Sequence, residues 1–173
     1  KVISILKENL DNNNIKYEIF EDALGKKNEY GEIFMPFNSE NNIGMAKIKK
    51  INNSSKDRIR IVALDSILDK FKKNNKIQGI GLIKIDVEGM ELDVLKGADK
   101  TLKKYRPHIF VEAQHKNDFL KLKSYLKSKK YSVLSVFGST PVYHFAYNPT
   151  FLLKKYIKYS PIIKKNKGKL IVD

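Results

Sequence analysis

Leu82-Ile83-Lys84-Ile85-Asp86-Val87-Glu88-Gly89-Met90-Glu91-Leu92-Asp93-Val94-Leu95-Lys96-Gly97-Ala98 is the stretch that decides the fold. It opens inside an apolar run, Ile80 to Val87, interrupted by Lys84 and Asp86, and this run reads as a strand. From about Glu91 to Tyr105 the period changes, and Leu92, Leu95, Ala98 and Leu102 fall on one helical face. Glu88, Glu91 and Asp93 gather at the start of that helix and Lys100, Lys103 and Lys104 at its end, as the helix dipole prefers. Pro107 closes it, and Ile109-Phe110-Val111 follows as a short buried strand. Strand, helix and strand make a βαβ unit, which predicts parallel strands and a right-handed crossover.

Toward the C-terminus, a helix over Asp118 to Ser128 leads to a strand, Tyr131–Phe137. Gly138-Ser139-Thr140-Pro141 turns the chain into Val142–Tyr147, which predicts an antiparallel pair. Toward the N-terminus, Ile3, Leu6 and Leu10 mark one face of a helix that Asp11-Asn12-Asn13-Asn14 stops. Ile15 to Phe20 alternates like a strand, and Glu21 to Gly25 reads as a loop. Ile33–Phe37 and Met45–Ile51 are short strands of an insertion, and Ile59–Ala63 is a further strand. Asp65 is placed to cap a helix from Ser66 to about Asn75, with Ile67, Leu68 and Phe71 inward. The expected fold is α/β: a mostly parallel sheet with helices on both faces, ending in a C-terminal antiparallel hairpin, over residues 1–147. Residues 148–173 form a basic tail or linker with seven lysines against Asp173 alone. Within it, Phe151, Leu152, Leu153, Tyr156, Ile157 and Tyr159 line an amphipathic stretch before Pro161.

A chain of 173 residues suggests one domain or slightly more, long enough to hold a core without staples. With no cysteine, disulfide frameworks, thiolate zinc sites and a cysteine nucleophile are all excluded. No apolar window approaches the ~18 residues of a membrane-spanning helix. The net charge of +15 raises the prospect of a nucleic-acid or anionic-surface partner. Its make-up argues against nucleic acid: only Arg58, Arg60 and Arg106 are arginine, the residue whose fork suits phosphates and base edges. The rest are lysine, which together with 15 Asn and 20 Ile fits A/T-rich coding drift.

Ligand sites of open parallel sheets lie at the carboxyl ends of strands. Three such ends carry acids: Asp22; Asp86 with Glu88; and Glu112, with Gln114 and His115 just beyond. Adjacent strands lie ~4.8 Å apart, so acids at neighbouring ends converge on one ligand. Alternation puts Lys84, Asp86 and Glu88 on one face, and a buried Lys84 requires a carboxylate partner. Simpler uses stand beside these: Asp86 and Glu88 as caps of the next helix, Glu112 in a structural hydrogen bond, His115 solvated, and His108 and His144 in packing. There is no Walker loop, no Gly-x-Gly-x-x-Gly turn after a strand and no Gly-x-Ser-x-Gly elbow.

The Leu82–Ala98 stretch strongly resembles the signature of FkbM-type S-adenosylmethionine-dependent methyltransferases. Val62-Ala63-Leu64-Asp65-Ser66-Ile67, Leu6–Leu10, Asp22-Ala23-Leu24-Gly25 and Arg106–Glu112 resemble its flanking segments. The resemblance covers about residues 1–147. It implies a Rossmann-like class I methyltransferase sheet, of strand order 3-2-1-4-5-7-6. It also implies methyl transfer to a hydroxyl of a sugar, glycan or small metabolite. Under it Ile15–Phe20 is the third strand, Asp22 and Ala23 lie near the adenine of the cofactor, and Asp86 lies beside the methyl donor. The first two strands, with the glycine-rich loop, have no counterpart, so the expectation is a longer chain whose N-terminal segment completes the sheet. Asp86, Glu88, Glu112 and His115 are the candidate catalytic residues, as bases for the attacking alcohol. A second version sets a divalent metal on Asp86 and Glu112, lowering the alcohol's pKa. The acceptor is expected to meet Met35–Asn53 and the loops after Glu112 and Phe137. The rival reading is a non-catalytic basic binding module, or a fragment without activity. The expected setting is cytoplasmic, with peripheral contact to anionic membrane through residues 148–173.

Overall fold

A computed structural model describes residues 2–34, 46–50, 58–74 and 78–148. The amphipathic stretch of the tail and most of the Met35–Asn53 region lie outside them. Helix α1 (Val2–Asn12) comes first, and its apolar residues Val2, Ile5 and Leu6 are exposed. A four-stranded sheet follows, built from β1 (Ala23–Leu24), β2 (Glu29–Phe34), β3 (Lys47–Lys50) and β4 (Arg58–Val62), in the order β1-β4-β2-β3. Helix α2 (Leu64–Asn74) leads to β5 (Leu82–Ile85), α3 (Glu91–Gly97), α4 (Asp99–Tyr105), β6 (His108–Glu112), α5 (Lys116–Ser128), β7 (Tyr131–Phe137) and β8 (Val142–Tyr147). These last strands form a second sheet, in the order β5-β6-β8-β7.

The βαβ unit is present: β5 and β6 run parallel, with Ile85 opposite Val111. The C-terminal hairpin is also present, β7 pairing antiparallel with β8 across the Gly138 turn. The mostly parallel sheet is not. Among the described residues the strands divide between two mixed sheets, in which β1–β4 and β5–β6 pair in parallel and the other pairings are antiparallel. The cause is local. The chain after Leu24 doubles back through hairpin-like strands, and its C-terminal hairpin inserts β8 against β6.

Residues 15–20 form no strand, although they alternate. Ladder hydrogen bonds, not alternation, hold a strand, and the pairing went instead to Ala23–Leu24, which Ile61 and Val62 flank in parallel. The expected helix over 91–105 is two helices that meet at Ala98. Gly97 explains the geometry: a Cβ there would lie 2.0 Å from the Gly25 carbonyl oxygen, so α3 presses directly on the loop after β1. Asp65 lies inside α2 and caps a different helix. Its carboxylate accepts from the Lys100 N–H (2.8 Å), the Thr101 N–H (2.9 Å) and the Thr101 hydroxyl (2.7 Å), at the start of α4.

One core joins the helices to the second sheet. Val94, Leu95, Ala98, Leu102, Phe119, Leu122 and Leu126 close over Ile85, Ile109, Val111, Tyr131 and Phe145. Among the described residues, helices α3, α4 and α5 therefore cover one face of that sheet. The other face carries Phe110, stacked on His144 (4.2 Å) and Phe137 (6.2 Å), and Phe137 and Leu82 are 51% and 57% exposed. Among the described residues β5 has β6 as its sole partner, so its outer edge presents backbone donors and acceptors. No helix among the described residues is long and apolar enough to cross a membrane.

Candidate functional site

Parallel register brings the site together. Ile85 faces Val111, so the next residues, Asp86 and Glu112, leave neighbouring strand ends side by side. Asp86 forms an ion pair with Lys84, its neighbour two residues back on the same face. That pair is not buried: the side chains are 55% and 54% exposed. The Lys84 hydrogen bond holds the Asp86 carboxyl below its usual range. Burial opposes the effect, and the Glu112 carboxyl within hydrogen-bonding reach adds to it. Asp86 is therefore an anion at neutral pH.

The turn after β5 depends on Gly89, whose φ of +89° suits glycine. Its N–H donates to the Val87 carbonyl (2.8 Å) and to Oε1 of Glu91 (3.0 Å). Glu91 folds back into the site in consequence, and burial raises its carboxyl above the usual range. At the other wall His115 precedes α5, exposed, and its carbonyl accepts from the Asp118 and Phe119 N–H groups (3.1 Å each). The hairpin turn closes the end of β6, with the Ala113 N–H donating to the Pro141 carbonyl (3.1 Å).

Two of the cavities at this rim gather its acids. The smaller, about 90 Å³, collects all four catalytic candidates, Asp86, Glu88, Glu112 and His115, with Lys47 and Glu91 added. The larger, about 360 Å³, is lined by Asp22, Ala23, Asp86 and Glu88, with Leu24, Ile48 and Met90 as apolar wall. Asp86, Val87 and Glu88 line both. Asp22 is already engaged: both of its oxygens accept from the Arg60 guanidinium at 2.6 Å, which holds its carboxyl below the usual range. Among the described residues no three His, Asp or Glu side chains gather as a metal-binding group, so the Asp86–Glu112 pair stands as two donors.

Reading the sequence missed Glu91 and Lys47. Glu91 looked like a complement to the helix dipole, and nothing in an apolar pattern shows that a positive-φ glycine two residues earlier turns it inward. Lys47 comes from β3, whose position depends on tertiary pairing with β2. His108 and His144, read as packing residues, form a partly buried pair that lines neither cavity. His108 Nδ1 lies 2.8 Å from His144 Nε2, and His144 Nδ1 lies 3.2 Å from the Ser135 hydroxyl.

A mixed α/β chain with acids gathered at the carboxyl ends of parallel β5 and β6 defines a candidate enzyme of the ligand-at-strand-ends type. Residues 4–133 match the methyltransferase FkbM domain, and the chain belongs to that family. A crystal structure of the methyltransferase FkbM from Methylobacillus flagellatus KT is similar in fold, with a TM-score of 0.53 at 20% identity. The likeness covers 84% of this chain and 32% of that one, so this chain spans about a third of that protein's length. No curated protein matches the sequence significantly.

Proposed function

We propose that the chain carries the reaction rim of an S-adenosylmethionine-dependent O-methyltransferase acting on a hydroxyl of a sugar, glycan or small metabolite, in the cytoplasm. The observation that carries this reading is the pair of cavities meeting at Asp86, Val87 and Glu88. The β5-β6-β8-β7 order supports it as well, since it corresponds to the 4-5-7-6 end of a class I methyltransferase sheet.

The larger cavity suits the methyl donor. Its carboxylates Asp22, Asp86 and Glu88 complement a cationic sulfonium, an ammonium and ribose hydroxyls, while Ala23, Leu24, Ile48 and Met90 offer apolar surface to a flat ring. When bound, S-adenosylmethionine supplies the electrophilic methyl group. Asp86, kept anionic by Lys84, is suited to attract positive charge rather than to hold a proton. Removal of the alcohol proton falls to the neighbouring cleft, where Glu112, Glu88 and His115 stand, with Glu91 beside them. A carboxyl raised by burial is better matched to proton transfer near neutral pH than a depressed one.

Asp86 and Glu112 are also the residues that would hold a divalent cation, whose chemistry would be to acidify the alcohol. Two carboxylates are a donor count at which magnesium sites are built with water and substrate. Lys84 already occupies one of the Asp86 oxygens that a cation would use, which favours the metal-free version.

Calorimetry of the protein with S-adenosylhomocysteine tests the reading. Binding is expected in the micromolar range, about −8 kcal/mol. Asp86→Asn is expected to weaken S-adenosylmethionine about tenfold, or ~1.4 kcal/mol, and S-adenosylhomocysteine, which lacks the sulfonium charge, by less. Absence of binding at millimolar ligand removes the proposal. Methyl transfer should persist in excess EDTA; loss that magnesium restores would reinstate the cation on Asp86 and Glu112.

A further inference from the structure

A third cavity, about 290 Å³, lies beyond Asp22, away from the rim of β5 and β6. Its polar wall is Asp22, Asn28, Arg60, Ser66 and Lys70, and its aromatic wall is Phe20 and Phe71. Charge is uneven there, with two cations against one carboxylate. Arg60 uses Nε and one terminal nitrogen to grip Asp22 at 2.6 Å each. A guanidinium has five N–H donors, so three remain once the Asp22 fork is made. The fork also fixes the orientation of Arg60, so its outward donors are arranged in advance of any ligand. The Arg60 side chain stays 58% exposed and within reach of an incoming anion.

Asn28 is anchored as well, its Oδ1 accepting from the Ala63 N–H at 3.2 Å. Phe20 and Phe71 meet edge to face, with centroids 5.9 Å apart at 76°. Phe20 is nevertheless 48% exposed, so part of its ring is left for another apolar surface. Excess positive charge on one side and a partly bare aromatic on the other are complementary to one kind of molecule. We propose that this cavity is a ligand site for a molecule that joins a carboxylate or phosphate group to a flat apolar body. The anion meets Arg60 and Lys70, and the apolar body lies on Phe20 and Phe71. Asp22 lines both this cavity and the larger cavity at the rim, so the Asp22–Arg60 pair stands between the two cavities. The assignment is independent of the methyl-transfer reading.

The test is NMR titration of the protein, with whatever chain precedes and follows these residues, with phenyl phosphate, benzoate, inorganic phosphate and benzylamine. Phenyl phosphate or benzoate is expected to bind with a Kd of about 1 mM or tighter and to shift resonances of Phe20 and Phe71. The tighter of the two identifies the anion as phosphate or carboxylate. Lys70→Gln, a change on an exposed position, is expected to weaken both at least about threefold. Phe20→Ala is expected to weaken phenyl phosphate while leaving inorganic phosphate unchanged. The site is overturned if neither aromatic anion binds at 10 mM, if benzylamine binds as well as they do, or if Lys70→Gln has no effect. The aromatic half is overturned if inorganic phosphate binds as tightly as phenyl phosphate.

Discussion

His144 is a titratable ring set where a charge is unwelcome. It is 8% exposed, lies flat on Phe110, and faces the His108 ring on one side and the Ser135 hydroxyl on the other. Burial, assisted by His108, lowers its pKa to about 4 from the usual 6.5. The unfolded chain therefore binds a proton below pH 6.5 that the folded chain refuses until about pH 4. Stability from this group is complete above pH 6.5 and drains away as pH falls between those values, by up to ~3 kcal/mol for a shift of this size. Thermal melts at pH 7 and pH 5 check this. The wild type should lose several degrees, and His144→Phe, which keeps the stacking on Phe110 but cannot titrate, should lose far less. Equal losses in both proteins would show that other groups govern the acid limb. The rim residues differ in legibility. Asp86 and Glu112 were visible because a βαβ unit dictates parallel register, and register alone puts them side by side. The exposure of the Lys84–Asp86 pair was not visible, since it depends on what covers that face of the sheet.

Elements formed where their local signals and long-range partners agreed. The helices over α1, α2 and α5 and the hairpin of β7 and β8 were legible from period and punctuation. The strand expected at 15–20 was not realised, and the two-residue β1 was hidden, because parallel pairing with β4 leaves no mark on a sequence this short. The break at Ala98 was hidden for the same reason. Gly97 looks like a tolerated weak point in a helix, yet its lack of a side chain is what allows contact with the Gly25 carbonyl. This gives a prediction of opposite sign to helix propensity. In an isolated helix Gly97→Ala would add about 1 kcal/mol. Here the new methyl meets a backbone oxygen, not a flexible side chain, so α3 or the loop after β1 must shift. Gly97→Ala should destabilise by about 2 kcal/mol or more, as overpacking does. Urea unfolding measures it, and a variant as stable as wild type would mean that α3 does not press on that loop.

For the whole molecule the dominant fact is charge, +15 over 173 residues. A uniform excess of lysine favours solubility and weak, salt-sensitive attraction to any polyanion. A concentrated excess acts differently, because lysines near an anionic membrane contribute about 1 kcal/mol each and the effect decays within a Debye length. Residues 148–173 hold seven lysines and one acid, interleaved with Phe151, Leu152, Tyr156 and Ile157, the composition of a segment that adds apolar contact to electrostatic attraction. If that segment is a membrane contact, the protein should float with vesicles containing anionic lipid at ~50 mM salt and be released near ~500 mM, where screening shortens the field to a few Å. Removing residues 148–173 should abolish flotation, whereas a short DNA duplex should compete poorly, since arginine forks are scarce. Flotation that survives the deletion would assign the attraction to the general lysine excess. Tight DNA binding with a steep salt slope would favour the basic binding module over the enzyme.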